Sequence, residues 1–467
     1  LRSNLIVSML GMLQGFVVAR FLGPSQYGIL KLLDMIPQLA KYGDLGFISV
    51  ARREIPYHIG AGDDEKAQLI RNLSYSSEIL LSIIISAISF SMMFFYFPDT
   101  LMVVGIFSYT VVFILQKIIK IFQTESVIQR KFKTLSRIIL FSGSISAIGI
   151  TLLVPFIGIY AMFIIIPLSI SITLIYARKN IFIKFKFMVR HSELFRIVKV
   201  GIPLALATVN TGLFQYSKRL SINHFLGFVY LGYYGIALQF ITLINSNASF
   251  LTRMTQPLIA DYVGRKQYRT SIDLVKYSMG FSLFALAVIL GFALINVSWT
   301  IKILLPQYLL GLASYYGLLL CGYISFSQSF IRTILVTPSI DKQIHLLLNS
   351  VLSTVTFLSI VFYLNHNNNI TFTNIIYADI IAFSIRWPFL YILFFSHFKL
   401  KFAEILEFTA VIIFPLIPIG LLFNYSLPIE NKASNIVFLN LVMLIIAGIY
   451  YPVIKNYYQK IKNLHLK

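Results

Sequence analysis

A helical, polytopic membrane protein of fourteen spans is what this sequence predicts, and three observations predict it. Only 12% of the 467 residues are charged and 58% are hydrophobic, where a soluble domain carries roughly 25% charged residues. Apolar runs close to the ~20 residues that a helix needs to cross a bilayer recur along the whole chain. Lys and Arg gather in alternate segments between those runs, which is the pattern of cytoplasmic loops. The runs lack strict alternation, and backbone in lipid must be satisfied internally, so the spans are helices and not strands.

In order, the spans fall at about 5–22, 26–50, 73–97, 100–121, 136–154, 157–177, 200–223, 231–251, 277–298, 308–330, 345–364, 375–396, 408–424 and 435–454. Spans two, seven and eight are the least apolar. No small-residue cleavage site follows the first run, so it reads as a span and not a signal peptide. The chain opens at Leu1, and a short N-terminal piece is expected to precede it.

Orientation follows from charge. The N-terminus, 52–71, 117–137, 178–199, 253–276, 332–342, 399–401 and the tail from 455 hold most of the 39 Lys and Arg residues. The opposite side carries only Lys302 and Lys432. Both termini are therefore placed in the cytoplasm. This asymmetry also accounts for most of the net charge of +22 without a nucleic-acid partner. Arg178–Lys199 interleaves Phe182, Phe185, Phe187 and Phe195 with basic residues. Two readings stay open for it, a helix lying on an anionic leaflet and a basic linker between two halves.

The halves repeat. Phe21-Leu22-Gly23 closes span one and Tyr27-Gly28-Ile29 opens span two; Phe225-Leu226-Gly227 and Tyr234-Gly235-Ile236 do the same for spans seven and eight. Further on, Arg52–Glu54, Pro56 and Gly62 are matched by Arg253, Pro257 and Gly264. Two pseudo-symmetric six-helix bundles are expected, 1–199 and 200–396, with 397–467 adding two helices and a basic tail. That is a rocking-transporter plan.

Charges within the spans point to a site. Lys31, Asp34, Gln38 and Lys41 share one helical face, within an arc of about 80°. A charge at mid-bilayer costs at least ~2.5–3.5 kcal/mol, so this face must meet water, a polar substrate or an internal ion pair such as Lys31–Asp34 or Asp34–Lys41. Span eight offers a polar stripe at the repeat-equivalent place: Thr242, Asn245, Ser246, Ser249, Arg253 and Gln256. Arg20 lies at the outer end of span one, and Gln215, Lys218 and Arg219 in span seven. Asp379 and Arg386, seven apart in span twelve, read as a structural pair. The spans thus hold Arg20, Lys31, Lys41, Lys218, Arg219 and Arg386 against Asp34, Asp44 and Asp379. A net-basic cavity suits a phosphate or diphosphate, gripped by Arg through paired hydrogen bonds and by Lys as a point charge. The expected substrate-binding residues are Arg20, Lys31, Asp34, Gln38, Lys41, Lys218, Arg219, Ser249 and Arg253.

Other chemistry is excluded by omission. One cysteine, Cys321, allows neither a disulfide framework nor a thiolate metal site, and reads as a small buried apolar residue. The seven histidines show no metal spacing, and no Gly-rich loop ending in Gly-Lys-Ser/Thr marks an ATPase. No cofactor is expected.

The run Ala19-Arg20-Phe21-Leu22-Gly23-Pro24-Ser25-Gln26-Tyr27-Gly28 resembles the first-loop signature of the O-antigen (Wzx-type) polysaccharide flippases of the multidrug/oligosaccharidyl-lipid/polysaccharide exporter superfamily. The resemblance extends through Lys41–Arg53 and returns at Phe225–Ile236 with Gln239 and Pro257. It implies a V-shaped, two-lobed carrier of the inner membrane, monomeric and not an enzyme. Such a carrier moves undecaprenyl-diphosphate-linked oligosaccharide to the outer leaflet for lipopolysaccharide and other surface glycans. It implies membrane lipids, a polysaccharide polymerase and other assembly proteins as partners. The related lipid II flippase has an arginine where Arg20 stands. Lys218 departs from the family, many of whose members have an acidic residue there. Two other classes compete with this reading. A drug or metabolite antiporter on the same fold calls for an acidic cavity. A membrane glycosyltransferase or polymerase needs acidic residues on an outer loop, and Phe21–Gln26 has none.

Overall fold

The computed structural model describes residues 2–42, 46–60, 62–96, 99–188, 212–335, 342–420 and 433–465, and the described residues are mostly helical, with no strand among them. Helix α1 is Arg2–Leu33, α2 Met35–Tyr42, α3 Phe47–Gly60, α4 Asp64–Tyr96, α5 Thr100–Ile128, α6 Phe132–Ile157 and α7 Tyr160–Asn180. Helix α8 covers 212–226. Then follow α9 Phe228–Gly264, α10 Tyr268–Leu304, a 3-10 turn Pro306–Gly311, α11 Leu312–Leu335, α12 Gln343–His366, α13 Phe372–His397, α14 Phe402–Ile413 and α15 Ala433–His465. Asp44, the 189–199 stretch and the start of span seven lie outside the described residues.

Among the described residues, ten helices are long and apolar enough to span a membrane. All ten coincide with expected spans, and the four remaining expected spans are one, two, seven and eight. Spans seven and eight lie in part outside the described residues, and span two is broken at Asp34. Large apolar side chains face outward in stripes, as Ile148, Leu152 and Phe156 do on α6, the last 83% exposed. A soluble protein buries such a face; a bilayer covers it.

The chain forms two compact units, Leu1–Gly232 and Tyr233–Lys467. The first opens on a bent helix. Gly23 has φ 69 and ψ 171, in the middle of α1, followed by Pro24. That backbone region is essentially open only to glycine. Gly227, its repeat partner, has φ 84 between α8 and α9. The repeated Phe-Leu-Gly is thus a repeated turn whose glycine is required. The following tyrosines, Tyr27 and Tyr234, are both fully buried. Within the first unit, Gly28 and Gly232 sit at a backbone crossing. A Cβ on Gly28 would stand 1.8 Å from the Phe228 carbonyl oxygen, and one on Gly232 2.0 Å from that of Pro24.

Residues 181–188 are irregular, so no helix lies on the leaflet there. The segment is tied across the cytoplasm-assigned ends of α4 and α5. Lys186 N donates to Asn72 Oδ1 at 3.0 Å and Met188 N to Ser76 Oγ at 2.9 Å. Gln68 Nε2 donates to Lys184 O, and Gln129 Nε2 to Phe182 O. Side-chain amides and a hydroxyl thus satisfy the strap's backbone, which has no secondary structure to do so.

In the second unit, α15 runs antiparallel along α10. Gly280 meets Tyr457, Gly291 meets Met443, and the rings of Phe284 and Tyr450 stack edge to face at 5.0 Å. The amides of Asn296 and Asn440 exchange hydrogen bonds of 2.8 and 3.1 Å. One face of α15 is therefore packed along α10, while its other face carries exposed apolar residues such as Phe438 and Ile445. Asp379 of α13 takes a hydrogen bond from Tyr234 Oη at 3.2 Å, and Arg386 is buried on the same helix. Cys321 is buried, as its reading as a small apolar residue expects.

Candidate functional site

Expected span two is not one helix. α1 stops at Leu33, Asp34 forms a turn, α2 ends at Tyr42, and α3 begins at Phe47. A broken helix within a membrane must have its freed carbonyls satisfied by other groups. At this break α8 supplies two donors. Arg219 Nη1 donates to Lys31 O at 3.4 Å, and Tyr216 Oη donates to Met35 O at 3.3 Å, one bond on each side of Asp34.

The charges gather at that break. Lys31 Nζ lies 3.3 Å from Asp34 Oδ2, with the two side chains 16% and 25% exposed. Lys31 Nζ also sits 4.7 Å from the centre of the buried Tyr27 ring. This is one of the two ion pairs that the sequence allowed. Tyr109 of α5 is buried, with its hydroxyl directed at Asp34 and within electrostatic reach of Tyr27. On α8, Lys218 is buried with its ammonium 4.5 Å from the Phe214 ring centre. Arg219 is 7% exposed. Its Nε and the Asn223 Oδ1 one turn away are buried with no hydrogen-bond partner. Among the described residues, Lys31, Lys218 and Arg219 thus stand against Asp34 on these two helices, and Arg219 keeps an unused Nε donor.

The structure thus brings Lys31, Asp34 and Arg219 together, with Lys218 beside Arg219 on α8. Gln38 is half-buried on α2, and Arg20 is exposed on α1, three residues before Gly23. Lys41 lies on α2, and Ser249 and Arg253 on α9; the side chains of these three, and of Asn245, Ser246 and Gln256, are outside the described residues.

Sequence reading missed another group of buried charges in this unit. Lys117 Nζ pairs with Glu78 Oε1 at 2.6 Å, with the side chains 2% and 0% exposed. Toward the strap, Glu125 is bound by Tyr75 Oη at 2.7 Å and by Arg71 Nη2 at 3.2 Å. Lys117 belongs to this core pair and not to a cytoplasmic loop. Glu78 must join the acidic residues of the spans. The available signal was the α4 stripe Arg71, Tyr75, Glu78, Ser82 and the heptad spacing of Thr110, Lys117 and Thr124.

Among solved structures, the chain is similar to the lipid II flippase MurJ in an inward closed conformation (TM-score 0.70, 13% identity, 97% of each chain). It is also similar to an inward-facing multidrug-resistance MATE transporter of the MOP superfamily (TM-score 0.61, 12% identity, 85% of this chain and 99% of that one). A third match is a MOP-superfamily transporter from Pyrococcus furiosus, described as having a binding pocket of reverse polarity (TM-score 0.57, 12% identity, 88% of this chain and 94% of that one). At such identities the likeness is one of fold. Comparison with curated proteins gives no match. The signature around Gly23 and its repeat at Gly227 both lie within residues 17–309, which match the family described as polysaccharide biosynthesis protein, and the chain belongs to that family.

Proposed function

We propose that this protein is a flippase that carries undecaprenyl-diphosphate-linked oligosaccharide from the cytoplasmic to the outer leaflet of the inner membrane, for O-antigen or a related surface glycan. The observation that carries the reading is the net-basic cluster at the broken helix, where Arg219 keeps a buried Nε unbonded beside Lys31 and Lys218. An anion is the ligand that such a cluster lacks. Family membership supports glycan biosynthesis as the setting. The MOP-type fold supports a carrier over an enzyme.

In this reading a diphosphate exchanges with the Asp34 carboxylate for Lys31 and takes the Arg219 Nε bond, while Lys218 adds charge. Arg20, Gln38, Lys41, Ser249 and Arg253 contribute to substrate binding. Each negative charge crossing the full field exchanges ~2.3 kcal/mol per 100 mV, and leaving a negative cytoplasm is the favourable direction for an anion. The membrane potential can therefore drive the step.

The test is complementation of a strain that lacks its own glycan flippase, with membrane expression measured in parallel. Lys31→Ala, Lys218→Ala and Arg253→Ala are expected to insert normally and to lose surface glycan. Wild-type glycan from all three, each well expressed, would overturn the basic-cluster mechanism.

A further inference from the structure

In the first unit, α4 and α5 pack side by side around the Glu78–Lys117 pair. Three buried serines here satisfy themselves: Ser77 bonds Leu73 O, Ser82 bonds Glu78 O and Ser126 bonds Phe122 O. Four hydroxyls do not. Ser74 Oγ, Ser86 Oγ, Thr110 Oγ1 and Thr124 Oγ1 are buried and have no hydrogen-bond partner.

Their positions are ordered. On α4, Ser74, Glu78, Ser82 and Ser86 recur every four residues, one per turn along a single stripe. On α5, Thr110, Lys117 and Thr124 recur every seven, two turns or about 10.5 Å apart. The helices are antiparallel, so Ser74 and Thr124 fall on one side of the ion pair and Ser86 and Thr110 on the other. The Ser74–Thr124 side leads to Tyr75, Glu125 and Arg71, with Arg52 of α3 within electrostatic reach of Tyr75. Arg71 is partly open, at 13% side-chain exposure.

An unpaired buried hydroxyl costs roughly 1–3 kcal/mol in a protein, and a bilayer offers no solvent to relieve it. Polar atoms in this condition are met by internal water, which makes about three bonds each. We propose that the α4–α5 seam binds a file of internal waters that links the Arg71–Glu125 cluster, on the side that the charge pattern assigns to the cytoplasm, to the Glu78–Lys117 pair. The waters satisfy the four hydroxyls and solvate a charge pair that has no other contact with solvent. They also give protons a path to the Glu78 carboxylate without opening of the bundle.

Radiolytic hydroxyl-radical footprinting of the purified full-length protein in heavy-oxygen water tests this, because a buried ring is labelled only when water lies beside it. Tyr75 and Phe113 lie beside the seam charges, and Tyr315 and Phe357 elsewhere; all four are fully buried. The first two are expected to take up heavy oxygen several-fold faster than the other two. Equal, background labelling of all four in the wild type would overturn the proposal. In the combined variant Ser74→Ala, Thr110→Val, Thr124→Val the seam labelling should fall to background. Unchanged labelling in a monodisperse variant would also overturn it. The wild-type comparison decides alone if the variant fails to fold.

Discussion

Arg219 donates from Nη1 to the backbone carbonyl of Lys31, 3.4 Å away and 188 positions earlier in the sequence. The bond falls where α1 gives way to the Asp34 turn. A cation that sequence pattern marks as a ligand group is therefore also a brace for a broken helix. Arg219→Ala should lower stability by about 1.5–3 kcal/mol, the range for a hydrogen bond to a charged group. Arg219→Lys should recover part of it, since Lys keeps the charge but loses the planar fork. Thermal unfolding in detergent checks this; an unshifted transition in Arg219→Ala would remove the brace.

The Glu78–Lys117 pair should behave as a buried ion pair. Glu78→Gln and Lys117→Met each leave an uncompensated charge, and each should cost about 3–5 kcal/mol. Replacing both should cost much less than the two together. A double-mutant cycle on unfolding free energy reads the coupling, and additive single losses would contradict the pairing.

These two contacts show how far the sequence could be read. The stripe Lys31–Asp34–Gln38–Lys41 was legible because several charges on one face cannot go unanswered in lipid. The break at Asp34 has a mark as well, since Pro37 lacks the N–H that would bond Leu33 O and its ring crowds that carbonyl four residues back, but the apolar run reads straight across it. What holds the break open comes from Tyr216 and Arg219, and no local pattern states a pairing across that distance. Glu78 was lost for a different reason. A single carboxylate in a long apolar run barely changes the run's hydropathy, and its partner, Lys117, stands close enough to Lys120 to look like the edge of a basic loop. The Phe-Leu-Gly repeats were fully legible, since glycine before a helix start has a backbone meaning that composition cannot hide.

The crossing of Gly28 and Gly232 should tolerate no side chain. Gly28→Ala or Gly232→Ala places a Cβ about 2 Å from a backbone oxygen, against a contact that only backbone displacement can relieve. Both variants should lose folded protein in the membrane. Gly11→Ala and Gly448→Ala meet nothing within 4 Å and serve as controls. Folded yields are compared by fluorescence-detected size exclusion, and wild-type yield from both crossing variants would refute the close approach.

On the cytoplasm-assigned side, Glu404 accepts the Lys401 backbone N–H at 2.8 Å and also pairs with Arg269 of α10. These contacts, the backbone bond first, hold its carboxyl below the ordinary range. A carboxylate depressed in the folded state stabilises fully above its unfolded pKa, and that contribution is lost as pH falls through the lowered value. Amide exchange at the start of α14, corrected for intrinsic rates, should therefore accelerate on acidification below the ordinary carboxylate range. Glu404→Gln should show fast exchange already at neutral pH. Equal protection in both proteins at neutral pH would exclude the cap.

The strap at 181–188 has a mechanical consequence. Its backbone is pinned to Asn72 and Ser76 on α4 and to Gln129 at the end of α5. A pull on the chain beyond Met188 is therefore not spent on unwinding the end of α7. It arrives as a lateral load on α4 and α5, the two helices that clasp the buried Glu78–Lys117 charges, so the connection to the following sequence works as a lever on the charged core.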